Sequence, residues 1–269
     1  MATTRVGDHE LFYERSGAGD PLLLIMGMSG THLSWGEPFL ETLRRDFDVV
    51  IYDHRGIGNS SPAPAGYSIA DLADDAAGLL DALGWERADV VGISMGGMVA
   101  QELALRHPER VRTLTLGCTF AGGAGASLTS PEVLGRLQQS WATGDREQAL
   151  RTAWEVNVSR RFAGEQDQFA EFRRLAIELP ASLPAIMAQM QAIGGHDTSA
   201  RLGQIAAPTL VIHGTEDEML PVANAKLIAE GIPDARLEIF DGVGHLFFWE
   251  EPERSAALVR EHALAAARA

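Results

Sequence analysis

The sequence predicts an α/β protein whose mostly parallel sheet is flanked by helices and interrupted by a helical insertion. Apolar runs of strand length alternate with segments of helical period, and this alternation stops after the sixth strand and resumes before the seventh. The chain has 269 residues, 46% of them hydrophobic and 22% charged, so it can form one large core without disulfides or metals. We therefore expect eight strands and one insertion.

The first elements follow from turn residues and apolar patterning. Gly7-Asp8 separates two segments in which apolar and polar residues alternate, which predicts an antiparallel hairpin. The runs that follow predict a buried strand, a helix and another strand. In chain order, these elements are Thr3–Val6, His9–Glu14, Pro21–Met26, Pro38–Arg45 and Phe47–Asp53.

The rest of the body begins with an amphipathic helix. Its apolar residues from Ile69 to Leu83 fall on one face, and Gly84 follows as a C-terminal cap. Pro108 ends the next long helix. The remaining elements are strands Ala88–Ile93, Val111–Gly117, Thr209–His213 and Arg236–Phe240, and helices Met95–His107, Val222–Glu230 and one from Glu253.

The chain between strands six and seven shows only helix-like pieces. Its breaks fall at Gly144, Gly164, Pro180 and Gly194. We expect residues 1–120 and 199–269 to form the body, and residues 121–198 to form a helical lid. The glycine-rich stretch Ala121–Ala126 is either the hinge of this lid or a plain surface loop, and the sequence does not choose between them.

The composition limits which classes of partner and which cellular compartment we expect. A formal net charge of −15 disfavours nucleic acid, because an anionic chain repels a phosphate backbone. Met1–Arg5 does not resemble a signal peptide, and the longest apolar run, Leu22–Met26, is too short to cross a bilayer. The single cysteine, Cys118, fits a reducing compartment. We expect a cytoplasmic protein that binds a small molecule and no membrane, with a homo-oligomer left open.

One strand-to-helix turn carries the strongest chemical signal. Gly92-Ile93-Ser94-Met95-Gly96 is a G-x-S-x-G motif directly after a β-branched strand and directly before a helix. In that context the serine hydroxyl is exposed above the sheet as a nucleophile, and the helix N-terminus favours developing negative charge. The alternative is a glycine-rich turn whose serine merely caps the helix. The chain has no phosphate-loop or H-E-x-x-H motif, and this turn has no dinucleotide fingerprint, so we expect no cofactor and no metal.

A nucleophilic serine needs a base, and the chain has eight histidines. His245 follows the last strand in a glycine-rich loop that can carry a side chain over the carboxyl edge of the sheet. His213 ends a strand, which indicates a structural role. The acid that orients the base should follow strand seven, and Asp217 is our prediction. The rival carboxylates are Glu216, Glu218 and Asp241.

These segments together resemble the α/β-hydrolase family over essentially the whole chain. The resemblance lies in Leu24–Met28, Tyr52–Ser60, Gly92–Gly97, Gly214–Asp217 and Gly244-His245. Within that family, the chain is similar to the branch that contains carboxylesterases, enol-lactonases, cofactor-free perhydrolases and aclacinomycin methylesterases. The resemblance implies a Ser94–His245–Asp217 triad and a helical lid after strand six.

The same resemblance implies an oxyanion hole. It places one backbone N–H donor at Met95 and the other at Met28, in the loop after strand three. Here the chain departs from the family, because Met26-Gly27 replaces the usual His-Gly. The donor is a backbone group, so the hole need not be lost. For Met26 itself we favour ordinary apolar packing.

The pocket is expected to be mostly apolar, which suits a small hydrophobic ester or lactone. Candidate substrate contacts are Gly27, Trp141, Trp154 and Met187, although lid packing is an alternative for each large side chain. The predicted reaction is ester or lactone hydrolysis through an acyl-enzyme. The alternatives are perhydrolysis or carbon–carbon bond hydrolysis on the same triad, and a non-catalytic ligand-binding protein of this fold.

Overall fold

The sheet has eight strands, and the prediction of a mostly parallel arrangement is confirmed. In the computed structural model, which describes residues 1–63 and 66–266, the spatial order is β1-β2-β4-β3-β5-β6-β7-β8. β2 pairs antiparallel with β1 and β4, and the other pairs are parallel. The strands are β1 Ala2–Val6, β2 His9–Gly17, β3 Asp20–Ile25, β4 Phe47–Tyr52, β5 Ala88–Ile93, β6 Val111–Gly117, β7 Thr209–Gly214 and β8 Arg236–Phe240.

The helices of the body cover both faces of this sheet. A cluster containing α2 and α3 packs on one face, and a second cluster containing α1, α9 and α10 packs on the other. The body helices are α1 Glu37–Leu43, α2 Ile69–Ala82, α3 Met95–Arg106, α8 Ala223–Gly231, α9 Phe247–Glu250 and α10 Pro252–Ala266. Because β3, β5, β6, β7 and β8 are parallel, their carboxyl ends meet at one edge, where sites on open α/β sheets form.

Four further α-helices lie between β6 and β7. They are α4 Pro131–Ala142, α5 Arg146–Asn157, α6 Gln166–Glu178 and α7 Leu183–Gly194. An aromatic cluster packs α5 and α6 against the body: Trp154 lies against Phe172 of the lid and Trp249 of α9. We call residues 121–198 the lid, and their division from the body as a separate domain stays a prediction.

No helix in the part of the chain that the structure describes is both long enough and apolar enough to cross a bilayer.

His196 lies buried where the lid returns to the body. The chain here pairs Asp197 with Gly122, and Gly122 packs directly against the His196 carbonyl. Burial lowers the pKa of His196 to about 4, although the nearby Glu102 carboxylate opposes this shift. The imidazole is therefore neutral in the folded protein at pH 7.

Acid should destabilise the protein through His196. An unfolded histidine takes up its proton near pH 6.5, whereas the folded one does so only near pH 4, so falling pH favours the unfolded state across this window. Between pH 7 and pH 4.5 we expect wild type to lose about 2 kcal/mol more stability than His196→Phe. Urea denaturation of both proteins at the two pH values measures this difference. Parallel losses would contradict the assignment, whatever the variant's stability at pH 7.

Candidate active site

The turn between β5 and α3 holds Ser94 in a strained conformation. Its φ of 56° lies in the left-handed region that non-glycine residues rarely occupy. Two glycines make the turn feasible: a Cβ at Gly92 would lie 2.2 Å from the Gly96 oxygen, and one at Gly96 would lie 2.0 Å from the Ile25 oxygen. The Ser94 amide donates to the Gly117 oxygen at 2.9 Å, which ties the turn to the end of β6.

Ser94 is the N-cap residue of α3 by position, but its side chain makes no capping hydrogen bond. If Ser94 served only as a helix cap, its side chain would form a capping hydrogen bond, and it forms none. The residue is half-buried at the carboxyl edge of the sheet. Ser94 therefore lies at the edge of the sheet where sites on open α/β sheets form.

The loop after β3 passes directly beside this serine. A Cβ at Gly27 would lie 3.1 Å from the Ser94 Cβ and 3.6 Å from its Oγ, so only glycine fits without a shift. The loop turns at Met28 and Ser29, where the Gly30 amide donates to the Gly27 oxygen at 3.3 Å. Ser29 has a φ of 60°, a second strained non-glycine residue next to the site.

His54 supports this loop from the body. Its Nε2 lies 2.9 Å from the Met26 carbonyl oxygen, which can only accept, so Nε2 carries the proton. Burial lowers the pKa of His54 and keeps the imidazole neutral. Met26 itself is buried in the apolar cluster on the α1 side of the sheet. The backbone at the predicted oxyanion loop is thus held by a histidine from another segment.

Asp217 and His245 meet at the same edge. The His245 Nδ1–H donates to Asp217 Oδ2 at 2.7 Å, and both side chains are buried. This bond fixes the tautomer that leaves Nε2 free to accept a proton. No hydrogen bond joins the Ser94 hydroxyl to His245 within residues 1–63 and 66–266, and such contacts often shorten only when substrate binds.

The Asp217 carboxylate receives four donors. Its Oδ1 accepts the backbone amides of Met219 and Leu220 at 2.9 and 2.8 Å, and its Oδ2 accepts from His245 and His213. Burial alone would raise the pKa of Asp217. The charges of His245 and His213 and their hydrogen bonds outweigh burial and hold the pKa well below its usual range. The acid is ionised throughout the neutral range.

His213 is the unexpected member of this group. Its Nε2 lies 3.0 Å from Asp217 Oδ2 and 2.7 Å from the Leu220 oxygen, while its buried Nδ1 has no partner among the described residues. Both neighbours of Nε2 are acceptors, so the proton resides there. Sequence reasoning assigned His213 a structural role, and its contact with the acid could not be read from its place at a strand end.

The rival carboxylates are engaged elsewhere. Glu216 accepts the Arg160 amide of the lid at 3.0 Å, and Glu218 pairs with Arg136 of the lid at 2.9 Å. Asp241 accepts from the Thr215 hydroxyl at 3.3 Å and is exposed. Asp217 is the one of these four acids that contacts His245 in the described residues.

One group of side chains has the composition of a metal site. The donor atoms of Cys118, Asp217 and His245 all lie within 4.8 Å of one another. Burial, reinforced by the charge of Asp217, raises the pKa of Cys118 well above its usual value, so the thiol stays protonated. Metals bind the thiolate, and the Asp217–His245 pair already shares a proton, so this trio fits a proton network better than a metal.

The lid also contacts the loop that carries His245. Glu250 is buried and accepts the Gly244 amide at 2.8 Å, the Ser159 amide at 2.8 Å and the Ser159 hydroxyl. A Cβ at Gly244 would lie 2.5 Å from the backbone of Val158, so loop and lid are in direct contact there. The position of His245 therefore depends on the lid residues that follow α5.

The structure places the predicted substrate contacts in different environments. Gly27 lies beside Ser94, whereas Trp154 is fully buried among lid aromatics and Trp249, a packing role in place of the predicted contact. Met187 is 55% exposed on the outer face of α7, in a surface depression of about 420 Å³, and its role as a substrate contact stays a prediction. Trp141 is 51% exposed on α4. Sequence alone could not place these side chains, because helical patterning does not show which face of a helix meets the body.

The chain is similar to known proteins over most of its length. A family model described as alpha/beta hydrolase fold matches residues 20–252. RutD of Azorhizobium caulinodans, which carries the name of a carbamate hydrolase, is 34% identical over 250 residues, 92% of each chain. The 2-hydroxymuconate semialdehyde hydrolase of Pseudomonas putida is 36% identical over 252 residues, 90% of this chain and 86% of that one. The solved enol-lactonase of Burkholderia xenovorans LB400 is 28% identical with a TM-score of 0.83, covering 97% of this chain and 99% of that one.

Proposed function

The chain belongs to the alpha/beta hydrolase fold family, and from this membership we propose that it is a serine hydrolase that cleaves carboxylic esters or lactones. The observation that carries the proposal is the strained Ser94 turn, whose uncapped hydroxyl stands at the same sheet edge as the His245–Asp217 pair. Ser94 is the nucleophile, His245 the general base, and Asp217 the acid that orients it.

The reaction proceeds in two halves. Ser94 Oγ attacks the carbonyl carbon while His245 Nε2 takes the hydroxyl proton, and the resulting tetrahedral intermediate carries a negative oxygen. As the intermediate collapses, the protonated imidazole gives that proton to the leaving alkoxide, and the acyl-enzyme remains. Water then attacks the acyl carbon, with His245 again as base, and releases the acid and free Ser94. Asp217 stays ionised throughout and stabilises the imidazolium.

The oxyanion is stabilised by backbone groups in this proposal. The Met95 amide stands at the N-terminus of α3, and the Met28 amide belongs to the loop that passes beside Ser94. Two such donors, held in place before the reaction, lower the barrier more than any other single feature in many acyl-transfer enzymes. His54 and the tight Gly27 turn supply the rigidity that this arrangement needs.

Ester or lactone substrates are supported by the apolar side chains of Met28 and Met95 near Ser94 and by similarity to an enol-lactonase. Carbon–carbon bond hydrolysis is the second candidate. It is favoured by the 36% identity to a hydrolase of 2-hydroxymuconate semialdehyde, a compound that contains no ester bond. Similarity to RutD adds carbamates to the bonds that a test must include.

A substrate panel with active-site labelling tests the proposal. We expect a fluorophosphonate to add one equivalent to the intact mass, with peptide mapping placing it on Ser94, and short p-nitrophenyl esters or lactones to give the highest kcat/KM. Faster turnover of 2-hydroxymuconate semialdehyde or of a carbamate would change the proposed substrate class and leave the proposed triad unchanged. Absence of both labelling and turnover would indicate a ligand-binding protein instead.

A further inference from the structure

One buried amide stands out on the inner face of lid helix α7. Gln189 is fully buried, and the residues that share its face are apolar: Ala185, Ile186, Ala188, Ala192 and Ile193. Burying an amide in such surroundings is unfavourable unless it forms hydrogen bonds. Leucine or methionine would fill this position without that penalty, so packing alone does not account for glutamine.

Among the described residues, the side chain of Gln189 forms one hydrogen bond, which crosses from the lid to the loop beside Ser94. The Ser29 amide donates to Gln189 Oε1 at 2.8 Å, and Nε2 has no partner among the described residues. Because the Ser29 group is a donor, the atom facing it must be the amide oxygen. The polar end of Gln189 is thus anchored to this loop.

The hydrogen bond fixes the peptide unit between Met28 and Ser29, at the centre of the turn that the Gly30 amide and the Gly27 oxygen close. Ser29 has a φ of 60°, which is unfavourable for a residue with a Cβ. Rotating that peptide unit would relieve the strain and turn the Ser29 N–H away from the lid. Gln189 opposes the rotation because it would lose its partner.

We infer that Gln189 is a positioning residue through which the lid holds the oxyanion loop in its working conformation. The inference rests on the proposed function, because it takes the Met28 amide as an oxyanion donor. Gln189 itself does not contact the reacting atoms in this assignment. When α7 moves away, the loop is free to rotate, so lid opening and disassembly of the oxyanion hole are one event.

Gln189→Met tests the inference, since methionine keeps the length and bulk of the side chain and removes the strong acceptor. Gln191→Met is the matched control: it makes the same chemical change two residues further along α7, on its exposed face. We expect kcat for a p-nitrophenyl ester to fall about tenfold or more in Gln189→Met, with KM within about threefold, as for loss of oxyanion stabilisation. Gln191→Met should match wild type.

Hydrogen exchange gives a readout that does not depend on turnover. The Ser29 amide should exchange about fivefold faster or more in Gln189→Met than in wild type or Gln191→Met, as expected for loss of one hydrogen bond. Unchanged kcat and exchange in Gln189→Met would overturn the inference, and so would equal losses in both variants. A wild type that turns over no substrate would instead refute the proposed function, and the exchange experiment would still decide whether Gln189 holds the loop.

Discussion

Ser94→Ala should remove nearly all hydrolytic activity and leave the fold intact. The variant loses the nucleophile but keeps the Cβ, so the strained turn at φ 56° meets the same steric conditions. The helix loses no cap, because the Ser94 side chain makes no capping hydrogen bond. We expect kcat to fall by about 10³-fold or more, the usual consequence of removing a triad nucleophile. The measurement is kcat/KM for the best ester of the panel, with circular dichroism on the same sample.

Ser199→Ala serves as the control, because it makes the same substitution on an exposed segment that returns from the lid to the body. It should retain activity within about threefold of wild type, as surface substitutions usually do. Full turnover by pure Ser94→Ala protein would refute the mechanism. Loss of the fold in Ser94→Ala would show that the Ser94 hydroxyl stabilises the turn, which the lack of a capping hydrogen bond to α3 does not predict.

Asp217→Asn is expected to be nearly as damaging. The carboxylate accepts four hydrogen bonds, two from the backbone and two from His245 and His213. An asparagine amide must turn its NH₂ group toward one of these donor pairs, so two donors lose their acceptor whichever way it sits. If the pair that loses it is the histidines, His245 loses the tautomer that the reaction needs. We expect kcat to fall by about 10³ to 10⁴-fold.

The matched substitutions are Glu216→Gln, Glu218→Gln and Asp241→Asn, assayed on the same ester. Each removes one carboxylate from the neighbourhood without touching the His245 contact. All three should stay within about tenfold of wild type, a change of less than about 1.4 kcal/mol in the barrier. A nearly silent Asp217→Asn alongside one severely impaired rival would reassign the acid and leave the Ser94–His245 pair standing.

The strands were predictable because local signals agree with the final packing. β5, β6 and β8 have the bounds expected from their apolar runs, and β7 extends one residue further, to Gly214. Each run is bordered by turn residues, and those of β5 and β7 are fully buried, so neither register nor tertiary contacts were needed to find them. The Ser94 turn was equally predictable from the sequence, because its glycines lie within two residues of the serine.

The lid was predictable only as a set of helices. Trp154 and Met187 were expected at the substrate, but one packs against Trp249 and the other faces outward. Gln189 was overlooked, although an amide within an apolar helical stripe is a signal that sequence alone contains. His213 offered no such signal, since its contact with Asp217 depends on how the loop after β7 turns back.

Two of the attachments between the lid and the body bear on how such a protein can diversify. Glu250 ties Ser159 to the His245 loop, and Gln189 ties α7 to Ser29. A lid transplanted from a relative, or redesigned to admit a larger substrate, would have to reproduce both attachments before its new pocket could matter. The exposed face of α7 makes neither of these contacts, so substitutions there can accumulate without disturbing the two loops. Selection for a new substrate is therefore channelled toward the lid segments between its attachments.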